Sequence, residues 1–196
     1  MANKDAPFGL RPAALLGGGA YTGGQREYEI SNANTTKVYQ GDIVKGLATG
    51  YIDRMAAADG GLVVGVFNGC QFTDSSTGKP KWSNYWTGDS NVTSTVKAYV
   101  VDDPNIICEV QADDAFTIGG VFANYDIVDG AGTGSSNSGI SYAELDVGTA
   151  NTTASLPLKA LAVSTDPDND DTGSANTNVV VLINNHFASA GTTGLN

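Results

Sequence analysis

Cysteine, histidine and cationic side chains are scarce in this chain, and no apolar run approaches the length of a membrane-spanning helix. Its 196 residues include two cysteines, one histidine, and ten Lys or Arg against 21 Asp or Glu, for a formal net charge of −11. A lone His186 with distant Cys70 and Cys108 cannot supply the ligand spacing of a zinc site. No Gly-rich segment carries Gly-Lys-Ser/Thr or opens a helix, so neither phosphate-cradling motif is present. The nearest approach to a nucleophile elbow, Gly134-Ser135-Ser136-Asn137-Ser138, lacks its final glycine. No catalytic residue, cofactor or metal is therefore expected, and the chain reads as a non-enzyme.

The shortage of positive charge has its own consequence. A protein that neutralises nucleic-acid phosphates or settles on an anionic membrane carries a basic face, so neither partner is expected, and a basic or mixed protein surface fits better. Residues 1–5 show neither an apolar signal-peptide core nor Gly after the initiator, so no secretion signal or myristoylation site is expected. Cys70 and Cys108 lie in apolar runs, where a free thiol behaves as a small buried hydrophobe; synthesis in a reducing cytoplasm disfavours pairing them.

Long stretches with helical spacing are also missing, while 25 glycines and abundant Ser, Thr and Asn favour short strands and frequent turns. The densest apolar run of the first half, residues 62–72, is β-branched and aromatic, is bounded by turn residues, and predicts a core strand. Alternation at 26–30, 95–101 and 142–147, with apolar runs at 106–110, 156–163 and 179–183, adds further strands. The turn Asp102-Asp103-Pro104-Asn105 predicts a hairpin between 95–101 and 106–110. Residues 130–139 read as a Gly/Ser loop. The expected fold is all-β, an antiparallel sandwich or barrel of jelly-roll type, with residues 1–25 as an extended arm and Gly-rich hinge, 26–187 as one β domain, and 188–196 as a flexible tail.

Two stretches are candidate partner surfaces. In residues 6–12 two prolines make a regular ladder unfavourable, so Pro7, Phe8, Leu10, Arg11 and Pro12 either lie across a partner or cover the domain's own edge. Trp82, Tyr85 and Trp86 crowd into five residues, either as interface anchors or as a core plug beneath a loop; on one strand Trp82 and Trp86 would share a face. The acidic turn 166–173 begins like a calcium loop, but Asp171 stands where the sharp bend wants Gly and Thr177 where a bidentate Glu would close it, so it reads as a solvated turn.

Residues 3–12, Gly41-Asp42-Ile43-Val44, residues 64–70 with Thr77-Gly78 and 82–86, Asp102-Asp103-Pro104-Asn105 with Glu109-Val110-Gln111, and Leu182-Ile183-Asn184-Asn185-His186 together resemble small virion structural proteins of tailed bacteriophages, the capsid decoration or cement proteins. The resemblance implies a β-rich protein on the outer capsid surface, bound to the major capsid protein, stabilising contacts between capsid subunits. It implies a homo-oligomer, a trimer before a dimer, located in the virion after synthesis in the host cytoplasm. Another virion part, such as a head fibre base or tail component, or a carbohydrate-binding β-module using Trp82, Tyr85 and Trp86, are the alternatives.

Overall fold

The computed structural model of the chain describes residues 3–89, 92–169 and 171–189. Its strands in chain order are β1 (Arg11–Leu15), β2 (Arg26–Ile30), β3 (Ile43–Gly46), β4 (Ile52–Arg54), β5 (Val63–Thr73), β6 (Pro80–Ser83), β7 (Val96–Val101), β8 (Ile106–Gln111), β9 (Asn124–Gly134), β10 (Ser141–Asn151), β11 (Leu158–Val163) and β12 (Asn178–Ile183). They form two antiparallel sheets. The first runs β1-β8-β12-β11-β9-β10, and the second β2-β7-β5-β3-β4 with β6 also paired to β5. A bridge between Ala112 and Leu145, with Asp113 N–H donating to Leu145 O at 3.1 Å, curls the first sheet toward a barrel. The all-β sandwich expected from composition and alternation is the observed class.

β5 holds the second sheet together because one of its edges carries β7 while the other carries β3 and then β6. Register shifts near Val64 and Asn68 interrupt the alternation of β5, so that Val63 and Val66, three residues apart, both face the first sheet, where they join Leu10, Ile43, Val101, Ile106, Leu145 and Val181 in the main core. Val64, Phe67, Cys70 and Phe72 point the other way, into a second core closed by Val38, Trp86, Val92 and Ile30. Each fully buried side chain of this size contributes about 1.5–3 kcal/mol, so both faces of β5 stabilise the fold. Loop residues Val38 and Trp86 pair backbone to backbone at 2.7 and 3.1 Å and seal that second core.

Three local expectations are corrected. The turn at 102–105 does form, with Ile106 N–H bonded to Asp103 O at 3.0 Å, but β7 and β8 are not a hairpin. Both edges of β7 are taken by β2 and β5, and both edges of β8 by β1 and β12, so the turn carries the chain from one sheet to the other. The prolines of residues 6–12 do not keep Arg11 and Pro12 out of a ladder; residues 11–15 pair with β8 from Arg11↔Glu109 to Leu15↔Ile106, with a register shift after Pro12 that accommodates the missing donor. Residues 130–134 belong to β9, whose end pairs Gly134 with Ser141 of β10 after a register shift from Asp129↔Ala143, in a Gly-rich sequence that carries no strand pattern. Of the expected C-terminal tail, residues 190–196 lie outside the described residues.

Candidate functional site

The N-terminal segment is fastened to its own domain before it reaches β1. Gln111, buried on β8, accepts from Ala6 N–H at 2.9 Å and donates to Lys4 O at 3.0 Å, and Asn3 donates to Asp171 O at 3.1 Å. Leu10 N–H then donates to Gly41 O at 2.8 Å, and the Leu10 side chain is buried in the main core. The crossing of Gly9 over Gly41 needs glycine on both sides: both have positive φ, and a Cβ at Gly9 would lie 2.7 Å from Gly41 O. Of the two readings of this stretch, covering the domain's own edge describes Leu10; Pro7, Phe8 and Pro12 are half-buried, and Arg11 is exposed.

Arg11 lies over the Phe8 ring, 4.7 Å from its centroid, and forms an ion pair with Glu109. Beside this pair runs a groove of about 360 Å³ lined by Phe8, Leu10, Arg11, Val66, Phe67 and Ile140. Its polar wall is a relay of amides in which Gln40 donates to Asn68 at 2.9 Å and Asn68 donates to Gln25 at 2.8 Å.

The aromatic cluster divides. β6 ends at Ser83, so Trp82 and Trp86 do not share a strand face. Trp86 is fully buried, edge-on to Phe72 at 5.5 Å, with its indole N–H donating to Asn34 O at 3.2 Å. Tyr85 stacks on Tyr39 at 5.4 Å. Trp82 alone faces outward, 56% exposed, tilted against Tyr99 at 5.1 Å. A platform of Trp82, Tyr85 and Trp86 is therefore not assembled.

Sequence reasoning missed the most exposed large hydrophobic side chains among the described residues, Ile118 and Phe122, at 78% and 79%. Both sit on the loop between β8 and β9, where Ile118–Gly120 makes one 3-10 turn and Val121 N–H bonds back to Ile118 O at 3.2 Å. Phe122 has φ +74, a conformation costly for a bulky residue, and its N–H is held by Ala160 O at 2.9 Å. The available signal was an apolar pair set among glycines and Thr, Ile118-Gly119-Gly120-Val121-Phe122, too short for any period.

Asp42 was also missed as more than a turn residue. Its buried carboxylate accepts from Tyr39 N–H at 2.7 Å and from the Ser141 hydroxyl at 2.5 Å, tying the entry of β3 to the start of β10. Burial raises its pKa to about 7, against the lowering effect of those two hydrogen bonds and of the Arg54 charge. On β10, Glu144 is pushed up to about 6, first by burial and then by Asp5 and Asp113.

His186 is completely buried where the chain after β12 meets Val63. Its Nδ1 accepts from Ala188 N–H at 3.1 Å, while Nε2 is buried without a hydrogen-bond partner. Burial lowers its pKa, and no face of the ring is open to a substrate. Cys70 and Cys108 are free and buried in separate cores. In the acidic turn Asp170 lies outside the described residues, and Asn169 is buried, donating to Ser164 O at 2.9 Å and Asn178 O at 3.0 Å. Among the described residues no three His, Cys, Asp or Glu side chains form a group that could hold a metal ion.

What this geometry offers chemically is recognition surface: the groove at Arg11, the outward Trp82, and the Ile118/Phe122 loop. A scan against protein-family models finds no match, and searches of the curated proteins and of the solved structures likewise return none.

Proposed function

We propose that this chain is a structural protein of a virion, a capsid decoration protein that binds the major capsid protein on the outer surface and stabilises contacts between capsid subunits, as a homo-oligomer with a trimer favoured. The reading starts from the scattered resemblance to such proteins and is supported above all by the loop that presents Ile118 and Phe122. Two large apolar side chains left almost wholly in water, one of them on costly backbone, gain nothing within this chain; they become favourable when a partner covers them. The net charge of −11 suits a basic docking surface. Many copies on a closed shell let a modest contact per copy suffice.

The test uses particles lacking the protein, supplied with purified wild type or with the double variant Ile118→Ser and Phe122→Ser. Wild type should bind and delay genome release on heating. The variant should keep its thermal midpoint and lose attachment. Equal heat resistance with and without the protein would overturn the cement role.

A further inference from the structure

We propose that the open face of the second sheet around Trp82 binds a neutral saccharide, with a pyranose ring resting on the indole; this stands on its own observations, independent of the virion reading. Trp82 on β6 lies cross-strand from Gln71 on β5, Gln71 lies cross-strand from Lys97 on β7, and Gly69 pairs with Tyr99. All project from the face opposite the second core, since they alternate with buried Cys70, Phe72 and Ala98. Gly69 makes the platform possible. A Cβ there would stand 2.8 Å from Trp82 Cζ2 and 3.1 Å from Cη2, so the indole lies directly against bare backbone, at a φ of +133 that disfavours any other residue. One part of the ring system is thus seated on the sheet and leans on Tyr99, while 56% of the residue stays open.

Around the ring the sheet supplies polar groups at strand spacing, about 4.8 Å apart, the scale of a single sugar ring. Tyr99 Oη donates to Gln71 Oε1 at 3.4 Å, and the Gln71 amide N–H₂ brings two donors to the same face. Lys97 Nζ meets Glu27 at 2.8 Å, and Glu29 sits opposite Lys97 on β2. A shallow groove of about 260 Å³ opens at Gln71 and Lys97, lined also by Phe72, Thr73, Pro80, Ser94 and Thr95, which adds three hydroxyls. An apolar face bordered by mixed donors and acceptors matches the C–H face and rim hydroxyls of a pyranose.

Charge decides which class of sugar. Lys97 is already neutralised by Glu27, Glu29 adds negative charge, and the whole chain carries −11, so an anionic glycan is repelled. The same charges decide against a dry protein contact, which would have to desolvate the Lys97–Glu27 pair and Glu29, whereas sugar hydroxyls replace the water bonds they displace.

Fluorescence reads the site directly, because Trp86 is buried and Trp82 is the exposed reporter. The intact chain is titrated with cello-, laminari-, manno- and chito-hexasaccharides, with heparin as the anionic control. At least one neutral hexasaccharide should shift the emission saturably. Trp82→Ala should weaken that binding by at least about tenfold in calorimetry, with an unchanged thermal midpoint, and Trp82→Phe should keep part of it. Silence of all four probes at about 10 mM, roughly the weakest affinity worth a specific site, would overturn the proposal. So would unchanged binding by Trp82→Ala, a preference for heparin, or loss of particle attachment in Trp82→Ala without any saccharide binding.

Discussion

Replacing Asp42 by Asn should turn a pH-sensitive fold into a less sensitive one. In the folded chain the carboxyl is buried between Tyr39 N–H and the Ser141 hydroxyl and titrates at about 7 instead of 3.8, chiefly because burial disfavours the charge. Below pH about 4 it is protonated in both folded and unfolded chains, and its titration costs the fold nothing. Between about 4 and 7 the folded chain holds a proton that the unfolded chain has released, so stability falls as pH rises. Above 7 both states are ionised and the full cost remains. At about 1.4 kcal/mol per pH unit over three units, that cost is at most about 4 kcal/mol. For a chain of this length each kcal/mol moves the thermal midpoint by roughly 2–4 °C.

Asp42→Asn keeps the shape and can still accept from Tyr39 N–H, but carries no charge. Its midpoint should match wild type near pH 4 and exceed it by several degrees near pH 8. Taking the difference between the two proteins at each pH removes the parallel contribution of Glu144, also raised, and the opposite one of His186, whose lowered pKa withdraws stability as pH falls below 6.5. Calorimetry across pH 4–8 measures it. A difference that stays flat with pH, or an Asn variant less stable than wild type at pH 8, would refute the argument that burial dominates the two hydrogen bonds.

Truncating Leu10 to Ala, at the point where the N-terminal segment enters the main core, should destabilise the fold by about 2–5 kcal/mol in denaturant titration, and deleting residues 1–12 should cost at least as much instead of leaving the domain intact. Cys70 and Cys108, fully buried and with thiols pushed up to about 12 by burial, should stay unreactive toward an aromatic disulfide reagent in the native chain and both react at once on unfolding; fast labelling of either in the native state would contradict their placement.

Alternation and apolar density located β2, β5, β7, β8, β11 and β12, because on those strands one face or both is buried and side-chain chemistry records it. β9 beyond Val128 left no such record, since its Gly-rich sequence has no pattern and its partners on β10, Asp129↔Ala143 and Gly134↔Ser141, are set apart by a register shift. The candidate surfaces were legible in part. Trp82 and Arg11 are exposed as a binding residue must be, but Trp86, identical in chemistry to Trp82, and Leu10, next to Arg11 in the same stretch, lie in cores. Tyr99 and Gln71 joined Trp82 only through the pairing of β5 with β6 on one edge and β7 on the other, and Ile118 with Phe122 carried no period at all.

By itself the sequence determined the class of this protein: frequent turns, short β-branched runs and few helical segments leave sheets as the way to pair the backbone, and the acidic balance sets what can approach it. Tertiary structure alone decided which strands meet. The turn at 102–105 looks like any hairpin turn, yet it joins two sheets because every edge of β7 and β8 is already occupied. Pairing is a competition among edges across the whole chain, and no local pattern states its outcome. The same holds for Trp82, whose open ring depends on a glycine thirteen residues earlier lying beneath it.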